Sequence, residues 1–147
     1  MAENGPGAQP MAENGLIHRR SRYGAGETMT RLQDAVKTKG LTVFAAIDHA
    51  AGAAAAGLPM RPTVVLIFGN ARGGTPLMQL NQTIGIDLPL KALVWEDANG
   101  AAWLSYNDPR WLAARHGLGA EGKAPTDTIA ALLDGLAESV TSSAGSG

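Results

Sequence analysis

The stretch Phe68–Thr75, FGNARGGT, is the part of the chain best suited to holding an anion. An apolar run (Thr63–Phe68) stops at a glycine-rich turn (Gly69–Gly74) that contains Arg72, and a segment with helical capacity (Thr75–Leu80) follows. Free backbone N–H groups at a helix start, with one guanidinium beside them, can hold a phosphate or a carboxylate. Phe68, Gly69, Asn70, Arg72, Gly74 and Thr75 are therefore the candidate ligand-binding residues, joined by Glu96 at the end of the next apolar run. The turn is not a P-loop, because no Gly-Lys-Ser/Thr follows it. The competing reading is a turn whose glycines only supply positive φ.

His49 and Asp87 are the catalytic candidates. His49 follows a strand-like run directly after Asp48, where an imidazole tuned by a carboxylate can act as a general base or a ligand. A surface or hydrogen-bonded structural histidine is the bland alternative. Asp87 precedes Leu88-Pro89 and has a second reading as a loop cap. Asp97, beside Asn99-Gly100, reads as a turn residue, and His116 reads as a helix C-terminal residue whose protonated form suits the dipole. Metal binding is not expected: His18, His49 and His116 are far apart, with no two-ligand motif. A haem held by His49 and Met78 is conceivable, but no spacing selects it, so the cofactor is left unknown.

Composition narrows the classes. The chain of 147 residues is one domain's worth, and its hydrophobic content of 45% is ordinary for a globular protein. A net charge of −1 speaks against sequence-independent nucleic-acid or anionic-membrane binding, which needs an excess of Lys and Arg. With 0 Cys, disulfides, thiolate metal sites and thiol nucleophiles are excluded. MAENGPGAQPMAENG lacks the apolar core of a signal peptide, and Val64–Phe68 is too short to span a bilayer. A cytoplasmic location is the expectation. MAENG occurs at Met1–Gly5 and again at Met11–Gly15, as a second start codon or a cloning scar would leave it, the alternative being a genuine repeat. Residues 1–15 are expected to stand outside the fold, 16–141 to form a single domain, and 142–147 to be a flexible tail.

The elements that must position these residues are legible in outline. Leu16–Tyr23 permits an edge strand, broken by Gly24 and Gly26. From Thr28, Met29, Leu32 and Val36 recur at helical spacing, and Gly40 stops that helix. Leu41–Asp48 is a strand with Leu41, Val43, Ala45 and Ile47 on one face. AAGAAAAGLP allows a helical turn or two. Thr63–Phe68 has no polar face and reads as a central strand buried on both sides. Asn99-Gly100 predicts a two-residue type I′ hairpin turn. That turn pairs Glu96 with Trp103, Trp95 with Leu104 and Leu93 with Tyr106. Leu93, Trp95, Leu104 and Tyr106 would then share one apolar face, and Val94, Glu96, Trp103 and Ser105 a mixed face suited to a partner subunit or ligand. Asp108-Pro109 starts a helix ending at Gly117, and Ile129, Leu132, Leu133, Leu136 and Val140 stripe the last one. The order predicts an α+β two-layer sandwich, its mainly antiparallel sheet carrying helices on one face.

The blocks FGN (Phe68–Asn70), GTPLMQ (Gly74–Gln79), GIDLPLK (Gly85–Lys91), VWED (Val94–Asp97), LSYNDP (Leu104–Pro109) and RHG (Arg115–Gly117), in that order, resemble the bacterial and archaeal family catalogued as domain of unknown function 302. The resemblance runs from about Leu16 to the last helix. It implies an α+β fold similar to a single TBP-like repeat, and a homodimer; it does not imply DNA binding. The family supplies no catalytic residues to carry over. Some members have proline after the Asn of the FGN block, where Ala71 stands here. The readings are a homodimeric binding module for a small, anionic or amphipathic ligand, an enzyme using His49 and Asp87 beside the glycine loop, and an interaction domain without a small ligand. The binding module is preferred.

Overall fold

The computed structural model describes residues 14–142. In chain order the elements are β1 (Leu16–Arg20), α1 (Ala25–Thr38), β2 (Thr42–Asp48), α2 (His49–Ala55), β3 (Thr63–Gly69), α3 (Ala71–Leu80), a 3-10 turn (Gln82–Asp87), β4 (Leu90–Glu96), β5 (Ala102–Asn107), α4 (Pro109–Arg115), a second 3-10 turn (Ala120–Gly122) and α5 (Lys123–Thr141). The strands form one antiparallel sheet in the order β1-β5-β4-β3-β2. Helices α1 and α5 pack against each other and against one face of the sheet, so the α+β sandwich expected from the element order is the fold.

The core lies between those layers. Leu66 and Phe68 of β3, Ala92 and Val94 of β4, and Leu104 and Tyr106 of β5 point into it. They meet Leu32 and Val36 of α1 and Ile129, Leu133, Leu136 and Val140 of α5. The helical stripes read from the sequence are thus the buried stripes, because 3.6-residue spacing gives each helix one apolar side. α1 starts earlier than its periodicity suggests: it runs from Ala25 through Gly26, and the Thr28 hydroxyl donates to the Gly24 carbonyl at 2.7 Å.

The hairpin differs from its expected register by one residue. Ala92 pairs with Tyr106, Leu93 with Ser105, Val94 with Leu104, Trp95 with Trp103 and Glu96 with Ala102. No non-glycine residue has positive φ among the described residues, so Asn99 cannot occupy a type I′ turn; only Gly100 does, at +84°. Asp97 N–H donates to the Ala101 carbonyl at 2.8 Å, closing a three-residue loop, Ala98–Gly100. The consequence is an exchange of faces. Val94 and Leu104 go to the core, while Leu93, Trp95 and Trp103 stand half-buried on the opposite side with Val65 and Ile67 of β3. β3 is therefore buried on its core face and only half-buried on the other. β2 carries an irregularity between Val43 and Ala45, so the residues expected to share one face do not, and Phe44 is left 55% exposed.

Gly15, just before β1, packs into the domain. It is buried, and its carbonyl accepts from the Asp108 N–H at 2.7 Å. A Cβ at position 15 would lie 2.5 Å from Cδ2 of Trp111, so only glycine fits there. The repeated MAENG falls largely outside the described residues.

Candidate functional site

The glycine-rich stretch is the first turn of α3 and not a loop before it. Asn70 is the N-cap: its side-chain Oδ1 accepts from Gly73 N at 2.8 Å, satisfying one of the helix's otherwise unpartnered donors. Three glycines in a short stretch argue locally for a loop, and the Asn cap outweighs them once α3 packs on α5. Gly74 N donates to the Asn70 carbonyl at 3.3 Å. The amides of Ala71 and Arg72 are the ones left at the helix end for an outside acceptor.

This helix end borders a cavity of about 540 Å³. Gly69, Asn70, Arg72, Gly74 and Thr75 line it, together with Ala71 and Gly73. The rest of the lining is mostly apolar: Leu41 and Phe44 from β2 and its approach, Met78 from α3, Leu88, Pro89 and Leu90 before and at the start of β4, and Ile129 and Leu132 from α5. Asn70, Ala71, Arg72, Thr75 and Thr128 are exposed, which puts the polar groups at the rim and the hydrocarbon within. Such a shape suits a ligand with an apolar body and one polar head. The apolar lining was not legible as a site, since each of its residues reads as core from periodicity alone; Phe44 reaches it through the β2 irregularity.

The other candidates lie elsewhere. Phe68 is fully buried in the core and does not line the cavity. Glu96 ends β4, whose first residue, Leu90, lines it; that separation is about 20 Å of strand. His49 is equally remote. Thr42 of β2 pairs with Gly69, but Asp48 pairs with Val64, so His49 starts α2 at the far end of the strand, about 20 Å away. Asp48 caps α2 by accepting from Ala51 N at 2.9 Å. A cavity shared by the glycine stretch, His49 and Asp87 is thus not formed, and the expected His49–Asp87 pairing has no geometric basis. His49 and Met78 are not brought together in that cavity either.

Asp87 has other partners. Its Oδ2 lies 2.6 Å from His116 Nε2, and Arg115 Nη1 donates to both its oxygens at 3.1 and 3.3 Å. His116 Nδ1 lies 2.8 Å from the Thr83 hydroxyl. His116, read from the sequence as a helix-end residue only, is the functional candidate that was missed; the contact joins segments 29 residues apart, and no local pattern signals it. Among the described residues no group of His, Cys, Asp and Glu side chains could hold a metal ion.

On the half-buried face of the hairpin, the Trp95 and Trp103 rings stack with centroids 6.1 Å apart. Trp95 Nε1 donates to the Ser105 hydroxyl at 2.9 Å, and His18 Nδ1 lies 2.6 Å from the same oxygen. The Trp95 donor is thus satisfied within the chain, and Arg20 and Lys91 share this face through their pairing with Trp103 and Ile67.

Sequences from Brucella suis biovar 1 (strain 1330) and Brucella abortus biovar 1 (strain 9-941), both named "Fluoride-specific ion channel FluC 1", are 50% identical over 113 residues. The match takes in 75% of this chain but 44% and 42% of theirs, so the chain spans less than half the length of those relatives. No helix among the described residues is long and apolar enough to cross a membrane. The crystal structure of an uncharacterized conserved protein DUF302 from Bacillus stearothermophilus superposes with a TM-score of 0.77 at 21% identity, over 87% of this chain and 98% of that one, a likeness of fold. A family model matches residues 17–136, and the chain belongs to that family, Domain of unknown function DUF302.

Proposed function

We propose that the domain is a binding module for a small amphipathic anion, held with its apolar body against Leu88, Ile129 and Leu132 and its charged head at the α3 end near Arg72. The observation that carries this reading is the joining of a capped helix N-terminus and one guanidinium to an apolar cavity of about 540 Å³. An enzyme reading has less support, because His49 lies at the far end of β2 and Asp87, next to the lining residue Leu88, is held by Arg115 and His116. The relatives named as fluoride channels match this chain at 50% identity over 113 residues. A bare halide is a poor match for hydrocarbon walls, since a small anion sheds its hydration at a large cost.

The test uses an amphipathic anionic fluorophore, 1-anilinonaphthalene-8-sulfonate, titrated into the native protein, with decanoate and sodium fluoride as competitors. Arg72→Ala should bind it about fivefold more weakly at unchanged stability, as loss of one exposed charge-assisted contact predicts. Leu132→Trp, which fills the cavity, should abolish binding. Equal affinity in all proteins rejects the reading, and displacement by fluoride but not decanoate would assign the site to the halide.

We also infer a homodimer, formed through the face that carries Leu93, Trp95 and Trp103. What supports it is a stacked indole pair amid half-exposed Val65 and Ile67, with no polar donor turned outward from the rings. Light scattering at micromolar concentration should give twice the chain mass, and Leu93→Asp should halve it. A monomeric mass for the native protein rejects the dimer.

A further inference from the structure

We propose that the segment 82–89, which gives the cavity Gly85, Leu88 and Pro89, is clasped by a proton: His116 closes it as the doubly protonated imidazolium. The clasp would regulate the ligand site described above, and in that respect it rests on that reading.

Each hydrogen around the His116 ring has one place in this arrangement. Asn81 Nδ2 donates to the His116 carbonyl at 2.7 Å, which turns its Oδ1 toward Thr83. That oxygen accepts from Thr83 N at 3.0 Å and from the Thr83 hydroxyl at 2.9 Å. The hydroxyl has a single hydrogen; given to Asn81 Oδ1, it leaves the oxygen to meet His116 Nδ1 at 2.8 Å as an acceptor, and in that arrangement Nδ1 carries a proton. On the other side of the ring, Nε2 lies 2.6 Å from Asp87 Oδ2. Arg115 Nη1 donates to both oxygens of that carboxylate, which leaves it acting as an acceptor, so Nε2 must carry a proton too. A ring with both is a cation.

The surroundings agree with this arrangement. The His116 side chain is 7% exposed, so water offers little substitute for these partners. The charged groups in contact are Asp87 from the 3-10 turn and, on the same carboxylate, Arg115 from α4. His116 also caps the C-terminus of α4, where a cation is favoured. Each bond ties α4 to a segment that contributes Gly85, Leu88 and Pro89 to the cavity.

Once the ring holds a single proton, its contact with Asp87 is a neutral hydrogen bond and no longer an ion pair. The Thr83 hydroxyl must then turn from Asn81 to serve Nδ1. Arg115 keeps Asp87 in place, so the wall loosens without detaching.

Nitrogen-15 NMR of the native protein at pH 5.5 should show both ring nitrogens of His116 protonated. Hydrogen exchange of residues 82–89, corrected for the intrinsic rate, should speed up about fivefold between pH 5.5 and 8.5, the difference between a charge-assisted and a neutral bond. Both His116→Gln and Asp87→Asn should remove that dependence. A neutral ring at pH 5.5, or equal protection at the two pH values, overturns the clasp. These readouts use no ligand, so a cavity that binds no probe counts against the ligand reading alone and leaves exchange to decide the clasp.

Discussion

Trp103 Nε1 donates to Oδ2 of Asp97 at 2.9 Å, from β5 back to the residue that opens the hairpin loop. The other oxygen of Asp97 accepts from Asn99 N and Ala101 N, each at 2.9 Å. One carboxylate therefore organises the turn and, through it, decides which face of β4 and β5 enters the core. The indole N–H above all, and then the Ala101 amide, hold the Asp97 carboxyl below its ordinary value of 3.8. A lowered folded-state value contributes stability above the unfolded value, and that stability is lost as pH falls through the folded one. Urea midpoints followed from pH 6 down to pH 2 should fall more for the native protein than for Asp97→Asn below about pH 4. Parallel profiles would show that the carboxylate is not tied to folding.

Gly15→Ala should destabilise the domain by about 2 kcal/mol, the order of an overpacked contact. The added methyl would meet Trp111 at 2.5 Å and force an alanine to φ +80°. Chemical denaturation measures this directly, and an unchanged midpoint would put Gly15 back outside the fold.

Gly73→Ala should act in the opposite direction. Position 73 lies within α3, and a Cβ there would meet only Asn70 Oδ1 at 3.5 Å and Ile129 at 3.9 Å, ordinary contacts. The helix should gain up to about 1 kcal/mol. The same methyl takes space from the cavity, so the Tm should rise while the fluorescent anion binds more weakly. A fall in both would mean that α3 cannot take the methyl without shifting.

Tyr106 sits 3% exposed on the core face, its hydroxyl donating to Asp134 Oδ1 at 2.5 Å. Burial first, and then that carboxylate, push the phenol far above its ordinary value of 10.0. A raised folded-state value means stability is complete below pH 10 and declines as pH climbs from there toward the folded value. Tyr106→Phe should cost about 1–2 kcal/mol at neutral pH through the lost hydrogen bond. It should also flatten the alkaline decline, which midpoints from pH 8 to 11 would reveal.

The readings that held and those that failed divide along a physical line. Leu32 and Val36, or Ile129, Leu133, Leu136 and Val140, declare a buried helix face because neighbours three or four apart share a side whatever lies opposite. Asp108 declares a helix start for a similar reason: it accepts from Arg110 N at 2.9 Å, a contact two residues long. Asn99-Gly100 declares a turn but not its kind, since the two- and three-residue loops differ by a single step of register. Asp97 and Trp103 make the choice from outside the dipeptide.

The candidate site divides in the same way. Asn70, Arg72 and their glycines are contiguous, so the chain displays them as a unit, although the cap that makes them a helix had to be weighed against glycine's cost. Leu41, Leu88 and Leu132 reach one cavity from three separate segments, and apolar residues carry no mark of whether they face a void or a neighbour. His116 meets Asp87 only because α4 lies beside the 3-10 turn, while His49 is carried to the far end of β2 by antiparallel pairing. Residue order is enough for the class of fold and the faces of its helices, because those follow from periodicities within one segment. Strand register, the cavity and the partners of each ionisable group follow from contacts between segments, which exist only once the sheet and helices have closed on one another.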